Sequence, residues 1–467
     1  MTYDRTARLT PDLASAVLSR ALRRGGDFAE IFAEDRSSLS LRLEDGKVEE
    51  VSSGVDLGAS IRVVKGPTTS FGYADSLDEV ALVALADRLS SSLSGAMVPP
   101  APFSVVPVEP ILAPQVAAEE VDTARKAEIV RLVDRTARGR SAEVRQVGAG
   151  YSEGLQRVWV ANSEGAFAYD ERTRLAVSIN VVAQREGLIQ TGRETVARTE
   201  GFALLDDEDV IAATLQAVDK AVVMLGARPS PSGRMPVILA NGFGGVLFHE
   251  ACGHGLEADF ILKKTSIWEG RRGHRVAESM VTAYDDGASP GMWGSNAIDD
   301  EGTATERTAV IEEGVLTAYL CDLLRGRRLG LASTGNGRRQ SFRHLPYPRM
   351  TNTYFAPGAV RAADLIADTP RAFYAKSLSG GQVDPATGDF VFGVSEGYLI
   401  ENGHVGQAVR GATLIGNGAE VLRMIDAIAD DLDVKAGMCG KEGQMVPVGT
   451  GQPTVRLREL TVGGTQV

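Results

Sequence analysis

After Thr10-Pro11-Asp12, apolar side chains recur every fourth residue at Leu13, Val17 and Ala21, the stripe of an amphipathic helix. Thr10 offers a cap oxygen, Pro11 suits the first helical position, and Gly25-Gly26 stops the run. The pattern then becomes that of strands at 28–34, 38–44, 48–51 and 59–64, with Asp45-Gly46 as a hairpin turn. Ser76 and Glu79 have the spacing of a capping box for a helix running to about residue 93. Helix, strands, helix is the order of a small two-layer domain over residues 1–100.

Pro99, Pro100, Pro102, Pro107, Pro110 and Pro114 make 96–116 an extended connection. A helix is expected at 118–138, then an antiparallel meander at 144–151, 156–161, 166–184 and 188–200. Glu153-Gly154 and Glu164-Gly165 read as its turns, and a helix near 206–225 closes this middle region, 101–228. Ala227 to Gly233, with Pro229 and Pro231, reads as a second linker. Beyond it, in 229–467, Pro236 to Leu239 is a short buried strand, and Asn241-Gly242-Phe243-Gly244-Gly245 turns the chain into a helix. Glu312-Glu313-Gly314 and Glu401-Asn402-Gly403 sit between apolar strands as hairpin tips do. The expected class is α+β: an N-terminal α/β two-layer domain, a middle antiparallel sheet region with helices, and a strand-rich C-terminal domain.

Composition narrows the function classes. A length of 467 residues exceeds one core, and 43% hydrophobic with 24% charged residues is ordinary for a soluble globular protein. The net charge of −12 repels phosphate backbones, so nucleic acid is not expected as a main partner. Arg325, Arg327 and Arg328, and the pair Arg338 and Arg339, are local clusters read as solvated faces. No apolar run is long enough for a membrane span, and the polar N-terminus lacks a signal-peptide core. Three cysteines, Cys252, Cys321 and Cys439, do not suggest a disulfide framework and fit a reducing cytoplasm.

The candidate chemistry lies in His249-Glu250-Ala251-Cys252-Gly253-His254, which holds two of the chain's five histidines. Two imidazoles beside a carboxylate are equipment for holding zinc and activating water. Histidines four apart share one helical face, but five residues advance about 500°, leaving the rings about 140° apart on a regular helix. A shared metal therefore requires the helix to unwind near Gly253 or to hold a π-bulge. A catalytic zinc also needs a third protein ligand and an open position. Spacing leaves Cys252, Glu257, Asp259 and a distant residue such as Cys439, in a glycine-flanked loop, as candidates. Glu250, next to the first histidine, suits the role of general base. Cys321 reads as a small core residue, and His274, His344 and His404 as surface or loop residues.

Several further segments accompany this motif in order. They are Gly255-Leu256-Glu257, Ile298-Asp299-Asp300-Glu301-Gly302, Thr334-Gly335-Asn336-Gly337-Arg338-Arg339 and Pro348-Arg349-Met350-Thr351-Asn352-Thr353. Gly380-Gly381-Gln382-Val383-Asp384, Gly411-Ala412-Thr413-Leu414-Ile415-Gly416, Cys439-Gly440-Lys441-Glu442-Gly443-Gln444 and Val448-Gly449-Thr450-Gly451-Gln452-Pro453 follow. Together they resemble the zinc-bearing TldD half of the TldD/PmbA (TldE) metalloprotease family, over nearly all of the C-terminal segment and more weakly around Glu44 to Gly72. The resemblance implies Zn2+ held by His249, His254 and Cys439, with Glu250 as the catalytic carboxylate. It implies no role for Cys252. It further implies a heterodimer with a TldE/PmbA-like subunit, or a homodimer, enclosing a tunnel in which unfolded peptides bind as an added β-strand. Arg349, Thr351, Asn352 and Thr353 become candidate substrate-channel residues. The alternative reading is a non-catalytic peptide-binding or scaffold subunit; halves of that kind lack the metal motif.

Overall fold

The computed structural model describes residues 9–106, 118–199, 201, 202, 205 and 207–465. The first helix, Pro11–Ala21, begins as its sequence dictates: the Thr10 hydroxyl accepts from the Leu13 amide at 3.2 Å. The second, Glu79–Ser91, starts differently from the expected capping box. Asp78 occupies the cap position, and the Ser76 hydroxyl binds the Asp78 amide and carboxylate instead of a helical amide.

The two strands expected at 28–34 and 38–44 are one continuous strand, Phe28–Glu44. Its first eight residues are all buried because both faces are covered. Ala29, Ile31 and Ala33 pack under the two helices, while Glu30, Phe32 and Glu34 face the C-terminal region. Two-sided burial removes the alternation that marks a half-exposed strand. Glu153-Gly154 likewise makes no turn. It lies inside the strand Val144–Asn162, where Glu153 is paired with Leu39 on one side and Leu175 on the other. Glu164-Gly165 does turn the chain, with Gly165 at φ 97°.

The N-terminal and middle segments share one seven-stranded sheet, because Phe28–Glu44 pairs antiparallel with Val144–Asn162. Helices Thr123–Arg140 and Asp207–Leu225 cover its far half. Of the proline-rich connection, Ser104–Val105 adds a short parallel strand beside Ala166–Phe167, and 107–116 lie outside the described residues. The second expected linker is pinned as well: Arg228–Pro229 pairs with Val409 and Arg410.

The C-terminal region is built from two larger sheets. In one, strands Arg371–Val383, Gly233–Leu239, Val455–Gly463, Thr413–Asn417 and Asp389–Glu401 follow in order, and the first pairs back to the last, closing a ring. The other has six strands, of which Asn352–Phe355, Gln444–Gln452 and Asp433–Lys441 are consecutive and the last is the edge. Expected tips at Glu313-Gly314 and Asn402-Gly403 turn with positive φ at both residues. Among the described residues no helix is long and apolar enough to cross a membrane.

The C-terminal region docks on the seven-stranded sheet through buried charge. Arg62 reaches Glu30 at 2.7 Å and Glu301 at 2.5 Å, Arg339 reaches Glu30 at 2.6 Å, and Arg172 reaches Asp300 at 2.6 Å. Arg339 is thus a buried connector, and Arg338 is buried against the Met350 and Pro447 carbonyls of the C-terminal region itself; neither forms the solvated face expected of them. Glu30 and the Asp300 carbonyl on Arg339, and two backbone carbonyls on Arg338, offset part of the cost of burial, although Arg339 Nε is left without a partner among the described residues. Phe342 adds an apolar contact, packing among Phe32, Val158, Val160, Ala168 and Ile298.

Candidate metal centre

The strand Gly233–Leu239 delivers the chain from the closed sheet into a short 3-10 turn, Gly242–Gly245. Gly245 is required by close approach: a Cβ there would lie 2.4 Å from the backbone of Gly451. One helical turn, Val246–Phe248, is followed by a π turn at His249–Gly253 and a 3-10 turn at His254–Leu256. This resolves the five-residue spacing. The widened turn sets the two imidazoles face to edge, their centroids 5.2 Å apart at 82°. The buried face of the motif, including Val246, Leu247, Phe248, Ala251 and Cys252, anchors it in the main C-terminal core.

Cys439 comes from the edge strand Asp433–Lys441, opposite Val446. Its sulfur lies 3.3 Å from His254 Nε2, and donor atoms of His249, His254 and Cys439 all fall within 4.8 Å of one another. Each ring is held from behind. His249 Nδ1 is 3.1 Å from the Thr353 hydroxyl, and His254 Nδ1 is 3.0 Å from a Glu257 carboxylate oxygen. Engaging both Nδ1 atoms leaves both Nε2 atoms for a ligand, the usual arrangement around metal-binding imidazoles. Burial pushes the Cys439 thiol up, but His249 and His254 outweigh it and hold it down at about 4. Burial disfavours charge on His254, yet Glu257 raises its pKa well above the usual range. Glu257 in turn is lowered to about 2, because Lys441 and His254 override its burial. A thiolate with two imidazole acceptors is the donor chemistry of zinc, and donors sharing one tetrahedral ion lie about 3.5 Å apart. The residues fit such an ion.

Between Gly244 and Asp259, Glu250 is the one residue that is not buried. Its side chain is 28% exposed, with a carboxylate oxygen 3.8 Å from His254 Nε2. It stands beside the donor cluster and open to solvent.

Residues 232–464 match the family model of the PmbA/TldA metallopeptidase C-terminal domain, 117–225 that of the central domain, and 29–93 that of domain 1. The chain belongs to the PmbA/TldD metallopeptidase family. It is 40% identical over 452 residues to a metalloprotease TldD homolog of Haemophilus influenzae, covering 95% of this chain and 94% of that protein. It is 35% identical over 443 residues to a metalloprotease of Methanothermobacter thermautotrophicus, covering 94% and 96%. Among solved structures, TldE from Thermococcus kodakarensis shares the fold, with a TM-score of 0.77 at 20% identity, covering 94% of this chain and 97% of that one. A Thermotoga maritima protein described as a modulator of a DNA gyrase does so with a TM-score of 0.78 at 20% identity, covering 93% and 96%.

The structure places the four expected channel residues behind the donors instead of along an open wall. Arg349, Thr351, Asn352 and Thr353 are all buried, none more than 1% exposed. Thr353 holds His249, Thr351 binds Asp285 through its hydroxyl at 2.8 Å, and the Asn352 amide binds the Asp286 carbonyl at 2.5 Å. Arg349 donates to the Cys439 carbonyl at 2.6 Å. Both edges of Asn352–Phe355 are already paired, so the strand cannot receive another. Glu257 and Asp259, open candidates for the third ligand, instead accept from Lys441 Nζ at 2.7 Å each. Cys252 is fully buried and directed at the Gly418 carbonyl; burial alone raises its thiol far above the ordinary range. The sequence reading missed Thr353 and Glu257 as partners of the imidazoles, and Lys441 entirely. Lys441 sits two residues past the cysteine inside a segment singled out by resemblance, which was its only signal.

Proposed function

We propose that this family member is the zinc-bearing, catalytic peptidase and hydrolyses unfolded or small peptides. The reading rests on one observation: the convergence of His249, His254 and Cys439 beside the solvent-facing carboxylate of Glu250. His249 and His254 would hold the ion through Nε2 and Cys439 through its thiolate. A bound Zn2+ supplies Lewis acidity toward water and the scissile carbonyl. Glu250 takes the proton from the attacking water and returns it to the leaving amine. Its exposure lets it reach both. Thr353 and Glu257 keep the imidazoles oriented, and the buried surroundings keep the donors free of competing water.

The sheet supports a mode of substrate binding. Asp433–Lys441 carries Cys439 and is an edge strand, bonded to Gln444–Gln452 on one side only among the described residues. An extended peptide added to that edge would run past the donors through main-chain bonds, a mode that gives loose sequence preference. Residues 229–467 form the catalytic unit, and 1–100 and 101–228 its support. The enclosed tunnel is completed by a second subunit, of TldE type or a second copy. The three cysteines are free and buried, in keeping with a cytoplasmic protein.

Glu250→Gln tests the assignment. Digestion of an unfolded peptide should fall by about 10²–10⁴-fold while zinc per chain stays at the wild-type value. Wild-type turnover in that variant would dismiss Glu250 as the base.

A further inference from the structure

The two halves of the donor set are far apart in sequence, yet one carboxylate touches both. Glu257 Oε2 lies 3.0 Å from His254 Nδ1 and 2.7 Å from Lys441 Nζ. Lys441 is two residues beyond Cys439 and 184 positions from Glu257. We infer that Glu257 and Lys441 form a clamp that fixes the Cys439 strand against the histidine turn and thereby sets how tightly the centre holds its metal. The inference rests on the metal reading above and deepens it.

Four contacts fix Lys441 where it is. Its ammonium also binds Asp259 Oδ1 at 2.7 Å and the Pro348 carbonyl at 3.1 Å, and it lies over the Phe260 ring at 4.6 Å. The aromatic face and the two carboxylates come from the stretch directly after the histidines. Glu257 is itself rigid. Its side chain is wholly buried, its backbone bridges Leu320, and it stands in extended conformation directly before the helix Ala258–Lys263. The strand, by contrast, has no strand partner on its outer edge among the described residues, and Met438 and Met445 on its hairpin are exposed. An edge hairpin ending in a glycine turn needs a tether if its cysteine is to stay within reach of two imidazoles. Lys441 supplies it on one flank, and the Arg349 bond to the Cys439 carbonyl on the other. Sharing one oxygen couples the two tasks: moving Lys441 away alters the support of His254 as well.

The test uses the full chain loaded with Co2+, whose near-ultraviolet thiolate band reports cysteine coordination, and the rate of metal release to excess chelator. Lys441→Met keeps the aliphatic stem and removes the charge. It should weaken the thiolate band and speed release by about 10–100-fold. Lys441→Arg should restore much of both. If Lys441→Met does not fold, Glu257→Gln decides, since the amide keeps the shape and loses the charge; it too should speed release by at least about 10-fold. Wild-type bands and release rates in the folded variants would overturn the clamp and leave the metal reading intact. Absence of any thiolate band in the wild-type protein would overturn the metal reading itself.

Discussion

Phe342→Ala measures how firmly the C-terminal region is seated on the seven-stranded sheet. The ring is fully buried and packs among Phe32, Val158, Val160, Ala168 and Ile298, with Tyr73 edge-on at 6.2 Å. The fit is close enough to demand glycine beneath it, since a Cβ on Gly58 would lie 2.3 Å from the ring. Removing the ring forfeits about 2–3 kcal/mol of transfer free energy. The flanking strands are held by continuous ladders and cannot collapse into the space, so a cavity term of about 1–2 kcal/mol adds to it. The expected loss is about 3–5 kcal/mol, read from urea unfolding followed by circular dichroism. Zinc per chain should stay unchanged at temperatures where the variant is folded, because no donor or donor support touches the ring. A loss below about 1 kcal/mol would refute the seating argument. Loss of zinc from the folded variant would show that the seat builds the centre and does not merely carry it.

Cys439→Ser should lower zinc per chain while leaving the unfolding midpoint of metal-free protein nearly unchanged; equal zinc content would return the third-ligand question to other residues. Gly245→Ala should cost about 1–3 kcal/mol and also loosen zinc, since the new methyl drives the motif turn away from Gly451 on the hairpin partner strand. Gly139→Ala, in the helix Thr123–Arg140 with open space around it, is the control and should stabilise by about 0.5–1 kcal/mol in thermal melts. Burial raises the Asp285 carboxyl from 3.8 to about 6, so the fold favours its protonated form. That contribution is complete below about pH 4 and lost as pH rises through about 6, a swing of about 3 kcal/mol. Asp285→Asn should accordingly flatten the fall in melting temperature between pH 4 and 6, and an unchanged slope would count against it.

Local features were legible where one stretch of chain decides its own conformation. The Thr10 cap, the Asn402-Gly403 tip and the distortion of the histidine turn are of this kind. The last follows from arithmetic: two rings five residues apart cannot share a ligand on a regular helix, and the chain adopts a π turn there. Misreadings arose where a distant partner changes a residue's meaning. Arg338-Arg339 looks like a charged surface until Glu30 and Asp300 are brought opposite Arg339 and backbone carbonyls opposite Arg338. Glu153-Gly154 looks like a turn until strands on both sides pair through it.

The donor set shows the limit most sharply. His249 and His254 sit on one turn, but Cys439 reaches them through two pairings with no local signature. Asn352–Phe355 pairs parallel with Gln444–Gln452, and that strand pairs antiparallel with the one bearing the cysteine. The first pairing also places Thr353 against His249, so a single sheet sets both the third donor and the support of the first. Parallel pairing between segments about a hundred residues apart is entropically slow to form and leaves no periodicity to read. A charge pattern does survive in the sequence: Glu257 and Asp259 after the histidines, Lys441 after the cysteine. Two buried acids facing one buried base are tolerable only when they meet, so each half of the site is incompletely satisfied until the other arrives. That mutual requirement ties assembly of the donors to completion of the fold.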